Sequence, residues 1–298
     1  GGGWPLNMFL TPDLKPFFGG TYFPPEDGQR PSFMTVLTRI NELWTEDSAG
    51  ILAKTADIHQ KLGEHLDKLQ QLQPDAAFND KLLEGLPEKF LAGADQTNGG
   101  WGERQKFPQP SHLLFLLGSE GKGRQFALMT CRKMMEGGIN DQIGGGFHRY
   151  TVDPVWLVPH FEKMLYDQAQ LLDVYVMAWQ LTQDPQFRET AVAIAEYVLD
   201  QLTHEEGGFY SAQDAQSEGK EGKFWCWTEK ELKAILTDGE FLVARRWFGF
   251  TAKGNFVDHS DPDHLKDQNV LFRADPRGEW TAAQKASLAA AVKKMKLV

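Results

Sequence analysis

The sequence has 298 residues, with 31 basic and 41 acidic side chains and a formal net charge of -10 at pH 7. Apolar residues make up 41% and charged residues 24%, which is a globular composition and excludes wholesale disorder. The negative balance argues against nucleic acid as a partner, and no apolar run is long enough for a membrane span. Two cysteines, Cys131 and Cys226, are too few for a disulfide framework, so we expect buried free thiols.

The first segment predicts a strand hairpin followed by helices. Apolar and aromatic runs at 6–10 and 16–23 flank a proline-containing turn, which is typical of two paired strands. Ser32 can cap a helix whose apolar residues keep the 3.6-residue period through Leu43. A further helix is predicted over 49–72.

The best linker candidate follows that helix. Pro74 ends the helical pattern, and polar residues over 70–77 favour a connection between two domains. We therefore expect a domain boundary after residue 73.

Beyond residue 73 the sequence is almost wholly helical. Apolar residues recur at helical spacing over eight segments, at 78–92, 111–118, 122–136, 160–182, 186–203, 228–237, 239–247 and 281–296. Three connecting loops share a Gly-Gly-aromatic beginning, at 99–101, 145–147 and 207–209. Because they are separated by about the length of a helical hairpin, they predict a repeated αα unit. Long loops in compact domains usually carry function, so these loops are where we look for a site.

Several motifs along the chain resemble one known family. They are GGWPLN at 2–7, FGGTYFPP at 18–25, KFPQP at 106–110, and the segments 144–150, 159–170 and 214–228. Together they are similar to the DsbH-type thioredoxin family, whose relatives include the spermatogenesis-associated thioredoxin-like proteins. The match covers most of the chain.

The resemblance implies a mainly α fold in two parts. A thioredoxin-like domain, of which 1–73 would be the C-terminal part, precedes an α/α toroid similar to N-acylglucosamine 2-epimerases and six-hairpin glycosidases. Residues 74–298 would be the first half of that toroid. The redox cysteine motif of the family would lie upstream of Gly1, and Trp4-Pro5 would correspond to the thioredoxin cis-proline. The resemblance implies a fold more directly than a reaction.

The densest polar segment is 144–167. A helix beginning at Pro159 would place His160, Lys163 and Asp167 on one face. His148 precedes this helix, and two histidines are suited to adding and removing protons in a sugar epimerase or isomerase. The alternative is a polar helix face in water.

A second polar loop contains Asp214, Glu218 and Glu221 between aromatic residues. Paired carboxylates beside rings are what glycoside hydrolysis requires, and three oxygen ligands would also suit a hard cation. A solvated acidic loop is the other interpretation. Thr228 and Glu231 then form a capping-box pattern, so we expect Thr228 to be structural.

The loop at 99–108 offers Trp101 as a stacking ring and Arg104 as a hydrogen-bonding cation, or else a rigid elbow. His259 and His264 lie among acidic residues without a recognised ligand spacing, which favours a polar loop over a metal site. We expect no metal and no cofactor.

Three functions remain open at this point. The first is a carbohydrate-directed enzyme, either epimerase- or isomerase-like or glycosidase-like; the others are a non-catalytic interaction scaffold and a thiol-redox protein whose cysteines lie upstream. For the enzyme, the catalytic candidates are His148, His160, Tyr166, Asp167, Asp214 and Glu218, and the substrate-binding candidates are Trp101, Arg104, Phe147, Arg149, Trp156, Lys163 and Glu221. The sequence begins without Met and ends within an Ala/Lys-rich helical stretch, which indicates a piece of a longer protein. We expect that protein to be cytoplasmic. Expected partners are a carbohydrate ligand and, through an exposed toroid edge, a second copy.

Overall fold

A computed structural model of the chain describes residues 5–28, 30–71, 83, 85–257 and 263–298. The chain divides into two compact units, Gly1–Asn79 and Asp80–Val298. Trp4, His259 and the predicted boundary after residue 73 lie outside the described residues, and the boundary stays a prediction.

The first unit begins with the predicted hairpin. Strands β1 (Asn7–Leu10) and β2 (Pro16–Gly20) pair antiparallel. The Thr11 hydroxyl oxygen accepts a hydrogen bond from the Lys15 backbone N–H at 3.0 Å, which closes the turn between the strands.

Helix α1 (Phe33–Gln71) follows the hairpin. Its first turn is capped by Ser32, whose hydroxyl accepts from the Thr35 N–H at 3.2 Å, as the sequence predicted. The backbone leaves helical geometry at Asp47 (φ -149°, ψ 60°), and the carboxylate there accepts from the Gly50 N–H at 2.8 Å. The two helices expected from the sequence are therefore two arms joined at a kink that Asp47 caps.

The second unit is built from helices and very short strands. Its helices are α2 (Leu86–Ala92), α3 (Pro110–Gly118), α4 (Lys122–Glu136), α5 (Leu165–Thr182), α6 (Pro185–Gln201), α7 (Glu229–Ile235), α8 (Asp238–Phe248) and α9 (Ala282–Met295). Its strands are β3 (Tyr150–Thr151), β4 (Pro159–His160), β5 (Lys163–Met164), β6 (Ala212–Gln213), β7 (Gln216–Ser217) and β8 (Lys220–Glu221). They form three antiparallel pairs, β3 with β4, β5 with β6 and β7 with β8.

Helical hairpins form the core of the second unit. Short connections join α3 to α4 and α5 to α6, which makes each pair antiparallel neighbours. Both hairpins contribute fully buried side chains to one cluster, among them Leu116, Met134 and Tyr175. A second cluster joins α7, α8 and α9 around Phe248. The predicted mainly α class is confirmed, with αα-hairpins of the kind that build an α/α toroid.

The start of α5 differs from the sequence prediction. The helix was expected from residue 160, but it begins at Leu165, because the preceding residues form strands. His160 pairs with Tyr150 across β3 and β4, and Lys163 pairs with Gln213 across β5 and β6. The backbone groups of 159–164 are satisfied by partners distant in sequence, which local periodicity does not reveal. The prediction that His160, Lys163 and Asp167 share one helical face is therefore wrong.

Two smaller expectations are confirmed. Thr228 and Glu231 form a reciprocal capping box at the start of α7, so Thr228 is structural. Cys131 and Cys226 are buried free thiols. Within the described part of the chain, no helix has the length and apolar character needed to cross a membrane.

Candidate functional site

The first two Gly-Gly-aromatic loops, at 99–101 and 145–147, share one backbone hydrogen-bond pattern. In the first, the Asp95 N–H donates to the Gly100 carbonyl at 2.9 Å, and the Gly99 N–H donates to the Asp95 carbonyl at 2.8 Å. In the second, Asp141 makes the equivalent pair of bonds with Gly146 and Gly145, at 3.0 Å each. Both glycines of each loop have positive φ, between 70° and 79°, a conformation that favours glycine.

A buried lysine closes each of these two loops. Lys106 Nζ lies 2.6 Å from Asp95 Oδ2 and 2.7 Å from the Gly99 carbonyl oxygen. Lys163 Nζ lies 2.7 Å from Asp141 Oδ2 and 2.8 Å from the Gly145 carbonyl oxygen. We call these two arrangements the lysine clamps.

The clamp changes the interpretation of Lys163, which the sequence predicted to bind substrate. Its side chain is 1% exposed, and its ammonium group lies 4.2 Å from the centre of the Tyr197 ring. Burial would raise the pKa of Asp141, but the lysine charge and the bond it donates hold that pKa below its usual range. Lys163 is therefore a structural cation, and its predicted contact with substrate is wrong.

The third loop lacks the aspartate. His204 takes its place, with its N–H 3.1 Å from the Gly208 carbonyl and its own carbonyl 2.9 Å from the Gly207 N–H. A Cβ added to either glycine would meet open space, and Phe209 is 60% exposed. The third loop thus keeps the backbone pattern of the other two but is not packed against a helix at its glycines.

The aromatic residues predicted to stack on a ligand are mostly structural. Phe147 and Trp156 are fully buried in the core, so their predicted role in binding is wrong. Trp101 is half-buried, donates its indole N–H to the Phe90 carbonyl at 2.9 Å and packs against the same core. Arg104 is exposed, and its role stays a prediction.

His148 does not form the proton-transfer pair expected with His160. It is 2% exposed, and its Nδ1–H donates to the Phe161 carbonyl at 2.9 Å. Burial lowers the pKa of His148 to about 3, so the ring is neutral near neutral pH. It borders a pocket of about 10 Å³, which has room for about one water molecule. His148 is therefore a structural histidine.

His160, in contrast, lies in a partly open polar cluster. Its ring stacks on Tyr150 with 5.0 Å between centroids, and its Nδ1 lies 2.7 Å from Glu221 Oε1. The Nε2 atom lies 3.8 Å from Glu162 Oε2. The hydrogen bond with Glu221 raises the pKa of His160 above its usual value. About a quarter of the side-chain surface of His160 and of Glu221 is exposed, so solvent reaches both.

Arg149, which directly precedes β3, extends the cluster. Its Nη1 donates to Glu162 Oε2 at 2.8 Å, and its backbone N–H donates to the Glu162 carbonyl at 2.8 Å. Tyr166, half-exposed at the start of α5, lies near enough to affect the pKa of Arg149. Strand pairing of β3 with β4 is what brings these groups together.

Asp167 is the buried acid of the cluster. It lies in the first turn of α5, is 7% exposed, and its Oδ2 atom is buried without a hydrogen-bond partner. Burial, opposed by the positive charge of Arg149 and aided by the nearby Glu162 carboxylate, raises the pKa of Asp167 to about 7. We define the acid–base cluster as Arg149, His160, Glu162, Asp167 and Glu221.

The structure separates the two other predicted carboxylates from this arrangement. Asp214 is exposed and accepts from the Gln216 N–H at 2.9 Å within its own loop. Glu218, also exposed, forms an ion pair with Lys223 a few residues further on. Their contacts stabilise the loop, and their predicted catalytic role does not follow from the geometry.

Two members of the site were not selected from the sequence. Glu162 lies in the polar segment 144–167 but was not among the candidates. Tyr150 was counted only as part of a motif. Alternation of apolar and polar residues within 148–151 and within 159–162 would have indicated paired strands. Each strand is only two residues long, however, which is too short to show such a pattern. The described residues contain no group of three His, Cys, Asp or Glu side chains arranged to hold a metal.

Comparison with known proteins identifies the relatives of the chain. Residues 1–63 match the model of the DsbH-type thioredoxin family, a family described as of unknown function. The chain is 43% identical to spermatogenesis-associated protein 20 of Homo sapiens over 303 residues, which are 91% of this chain and 38% of that protein. It is 36% identical to an uncharacterised protein of Caenorhabditis elegans over 301 residues, 91% of this chain and 40% of that protein.

The first unit is thus of the DsbH-type thioredoxin class, as its motifs predicted. Over most of its length the chain is similar to spermatogenesis-associated protein 20, and its first 63 residues match the DsbH-type thioredoxin family model. It spans about 38% of the length of the curated mammalian relatives it matches.

Among solved structures, part of the chain is similar to a cellobiose 2-epimerase from Spirochaeta thermophila. The TM-score is 0.37 at 16% identity, covering 47% of this chain and 42% of that one. It is also similar to a glycoside hydrolase family 76 mannosidase from Bacteroides thetaiotaomicron, with a TM-score of 0.32 at 13% identity over 65% of this chain and 55% of that one.

Proposed function

We propose that the chain carries the proton-transfer site of a carbohydrate-directed enzyme, and that this site is the acid–base cluster. The observation that supports the proposal is the contrast between its carboxyl groups. Asp167 is buried with a pKa raised to about 7, whereas Glu162 and Glu221 each have a cationic or histidine partner within 2.8 Å. A buried carboxyl group with a raised pKa, close to polar groups that solvent reaches, is typical of a proton-transfer site.

The chemistry follows from these protonation states. With a pKa of about 7, Asp167 is protonated in about half of the molecules at pH 7, and that form can donate its proton to an oxygen of the bound ligand. His160, with Glu221 on its Nδ1, presents the opposite nitrogen Nε2 toward Glu162 and solvent. In its neutral form that nitrogen accepts a proton from a ligand hydroxyl or from water, while Glu221 stabilises the imidazolium that results. The two steps leave the net charge of ligand and site unchanged.

The charge balance of the cluster supports an uncharged ligand. Arg149 is paired with Glu162 at 2.8 Å, and His160 with Glu221 at 2.7 Å. Because Arg149 and, once it is protonated, His160 each have a carboxylate partner, the site offers hydrogen-bond donors and acceptors without a large net charge. A neutral, polyhydroxylated molecule satisfies such groups. We therefore propose a sugar without phosphate or carboxylate groups.

A thermal-shift screen tests the proposal. Wild-type protein is heated with neutral monosaccharides and oligosaccharides, and with their phosphorylated forms. A sugar at 100 times its Kd should stabilise the folded chain by about 2.7 kcal/mol. The Asp167→Asn and Glu221→Gln variants should lose most of that shift, whereas Asp200→Asn, an exposed aspartate of α6, should keep it.

The outcomes separate the candidate functions. Stabilisation by a neutral sugar that depends on Asp167 and Glu221 supports the proposal. If no sugar stabilises the wild type, the carbohydrate proposal fails and the non-catalytic scaffold gains. If a sugar stabilises all four proteins equally, binding takes place elsewhere and the acid–base cluster is not the site.

A further inference from the structure

An exposed aromatic ring lies beside the acid–base cluster and has no role so far. Phe107 belongs to the KFPQP motif, directly after the clamp residue Lys106. Its side chain is 39% exposed. Its ring centroid lies 4.8 Å from that of Tyr150, and the Tyr150 ring in turn stacks on His160. Three rings thus form a row that ends at solvent with Phe107.

The position of Phe107 is fixed by its neighbours. The Lys106 N–H donates to the Thr151 carbonyl at 3.0 Å, and the Thr151 N–H donates back to the Lys106 carbonyl at 2.9 Å. The Lys106 ammonium is also buried against Asp95. Pro108 follows and restricts the backbone on the other side. An exposed ring held in this way loses little conformational freedom when a ligand covers it.

We propose that Phe107 is the stacking subsite for the less polar face of a pyranose ring. The inference rests on the proposed function and adds the surface that positions the sugar. An aromatic face packs well against the C–H groups on one side of a sugar ring, while the hydroxyls remain free for polar partners. Such partners are present at the other end of the row, where His160 and Glu221 hold polar atoms at the surface.

We expect Phe107 to contribute to the affinity for the sugar and not to proton transfer, because its ring carries no group that exchanges protons. Replacing it by leucine removes the flat face but keeps an apolar side chain. Phe107→Tyr keeps the face. Phe209, which is 60% exposed in the third glycine loop, provides the matched control for loss of an exposed ring.

Titration calorimetry of the wild type and three variants tests the inference. The probes are glucose, mannose and N-acetylglucosamine, with sorbitol as a polyol without a ring. We expect Phe107→Leu to weaken binding of the best pyranose about three- to tenfold, and Phe107→Tyr and Phe209→Leu to change it less than about twofold. Sorbitol should bind the wild type and Phe107→Leu equally weakly.

The results distinguish this inference from the proposed function. If the wild type binds a pyranose and Phe107→Leu binds it equally well, the stacking subsite is refuted and the acid–base cluster stands. If the wild type binds none of the sugars, both fail. Equal weakening in Phe107→Leu and Phe209→Leu would refute a specific role for Phe107. Thermal unfolding of each variant, compared with the wild type, shows that a loss of binding is not a loss of folding.

Discussion

Removing the buried cation of the second lysine clamp should destabilise the protein strongly. Lys163→Met keeps the length of the side chain and deletes its charge. Asp141, whose side chain is 12% exposed, then loses its ion pair at 2.7 Å, and the Gly145 carbonyl loses a donor at 2.8 Å. Breaking a buried pair by removing one partner costs about 3–5 kcal/mol, because it leaves an uncompensated charge.

The remaining partners of Asp141 place the expected cost near the lower end of that range. Its Oδ1 atom still accepts from the N–H groups of Ile143 and Gly144, at 2.9 and 2.8 Å. We therefore expect a loss of about 3 kcal/mol at neutral pH. The pKa of Asp141 is lowered in the wild type, so its stabilising contribution is present above the pKa of the unfolded chain and is lost as pH falls. The difference between variant and wild type should accordingly shrink below about pH 4.

Urea unfolding followed by far-ultraviolet circular dichroism measures this cost. Lys122→Met, at the exposed start of α4, is the matched control and should change stability by less than about 0.5 kcal/mol. The double variant Lys163→Met with Asp141→Asn should lose less than the sum of the single variants, because no unpaired charge remains. A loss below about 1 kcal/mol for Lys163→Met would refute the clamp as a source of stability.

Three further variants test other parts of the structure. Asp167 has a raised pKa, so its contribution to stability is fully present below the pKa of the unfolded chain and is lost as pH rises to about 7. Urea unfolding at about pH 5 and about pH 8 should therefore show Asp167→Asn gaining stability relative to the wild type at the higher pH. An unchanged difference in unfolding free energy would contradict the burial of Asp167 as the cause. Gly146→Ala should lower the free energy of unfolding by at least about 2 kcal/mol more than Gly207→Ala. Both glycines have positive φ, but only at Gly146 would a Cβ lie 2.6 Å from the Tyr197 ring. Equal urea midpoints for the two variants would show that the core rearranges to accept the methyl group. Thr228→Ala should cost about 1 kcal/mol through loss of the capping box, and thermal unfolding of that variant should show the change unless another group caps α7.

Helices and caps were accessible from the sequence because their signals are local. The period of apolar residues predicted α4 at its observed bounds, and the Thr228 capping box and the Ser32 cap were both confirmed. The kink at Asp47 also falls between the two helices expected there. Each of these depends on residues a few positions apart, which a single sequence displays.

The strands of the second unit could not be predicted in the same way. Each is two residues long, which is too short for a periodic pattern, and the partner of Lys163 in β5 is the distant Gln213 in β6. Pro159 suits the first turn of a helix, but it lies in β4 instead, where it pairs with Thr151 of β3. Strand pairing therefore overrode the local signal.

The candidate site was predicted as a segment and only in part as a set of residues. The segment 144–167 contains four of the five residues of the acid–base cluster, among them His160 and Asp167, and Glu221 comes from the second polar loop. Polarity alone could not separate His160, which solvent reaches, from His148, which the core encloses. The same limit explains Lys163, whose charge is satisfied internally by Asp141. Burial is a tertiary property, and it decides which polar residues are structural.

The titration of Asp167 is the most direct test of the acid–base cluster. Carbon-13 NMR of protein labelled at the aspartate carboxyl carbons follows each group through a pH series, and Asp167→Asn identifies the resonance. We predict one carboxyl with a midpoint near pH 7 that is absent from the variant spectrum. If the Asp167 resonance titrates below about pH 5 like an ordinary aspartate, the cluster holds no neutral acid at physiological pH and the proposed proton transfer is contradicted.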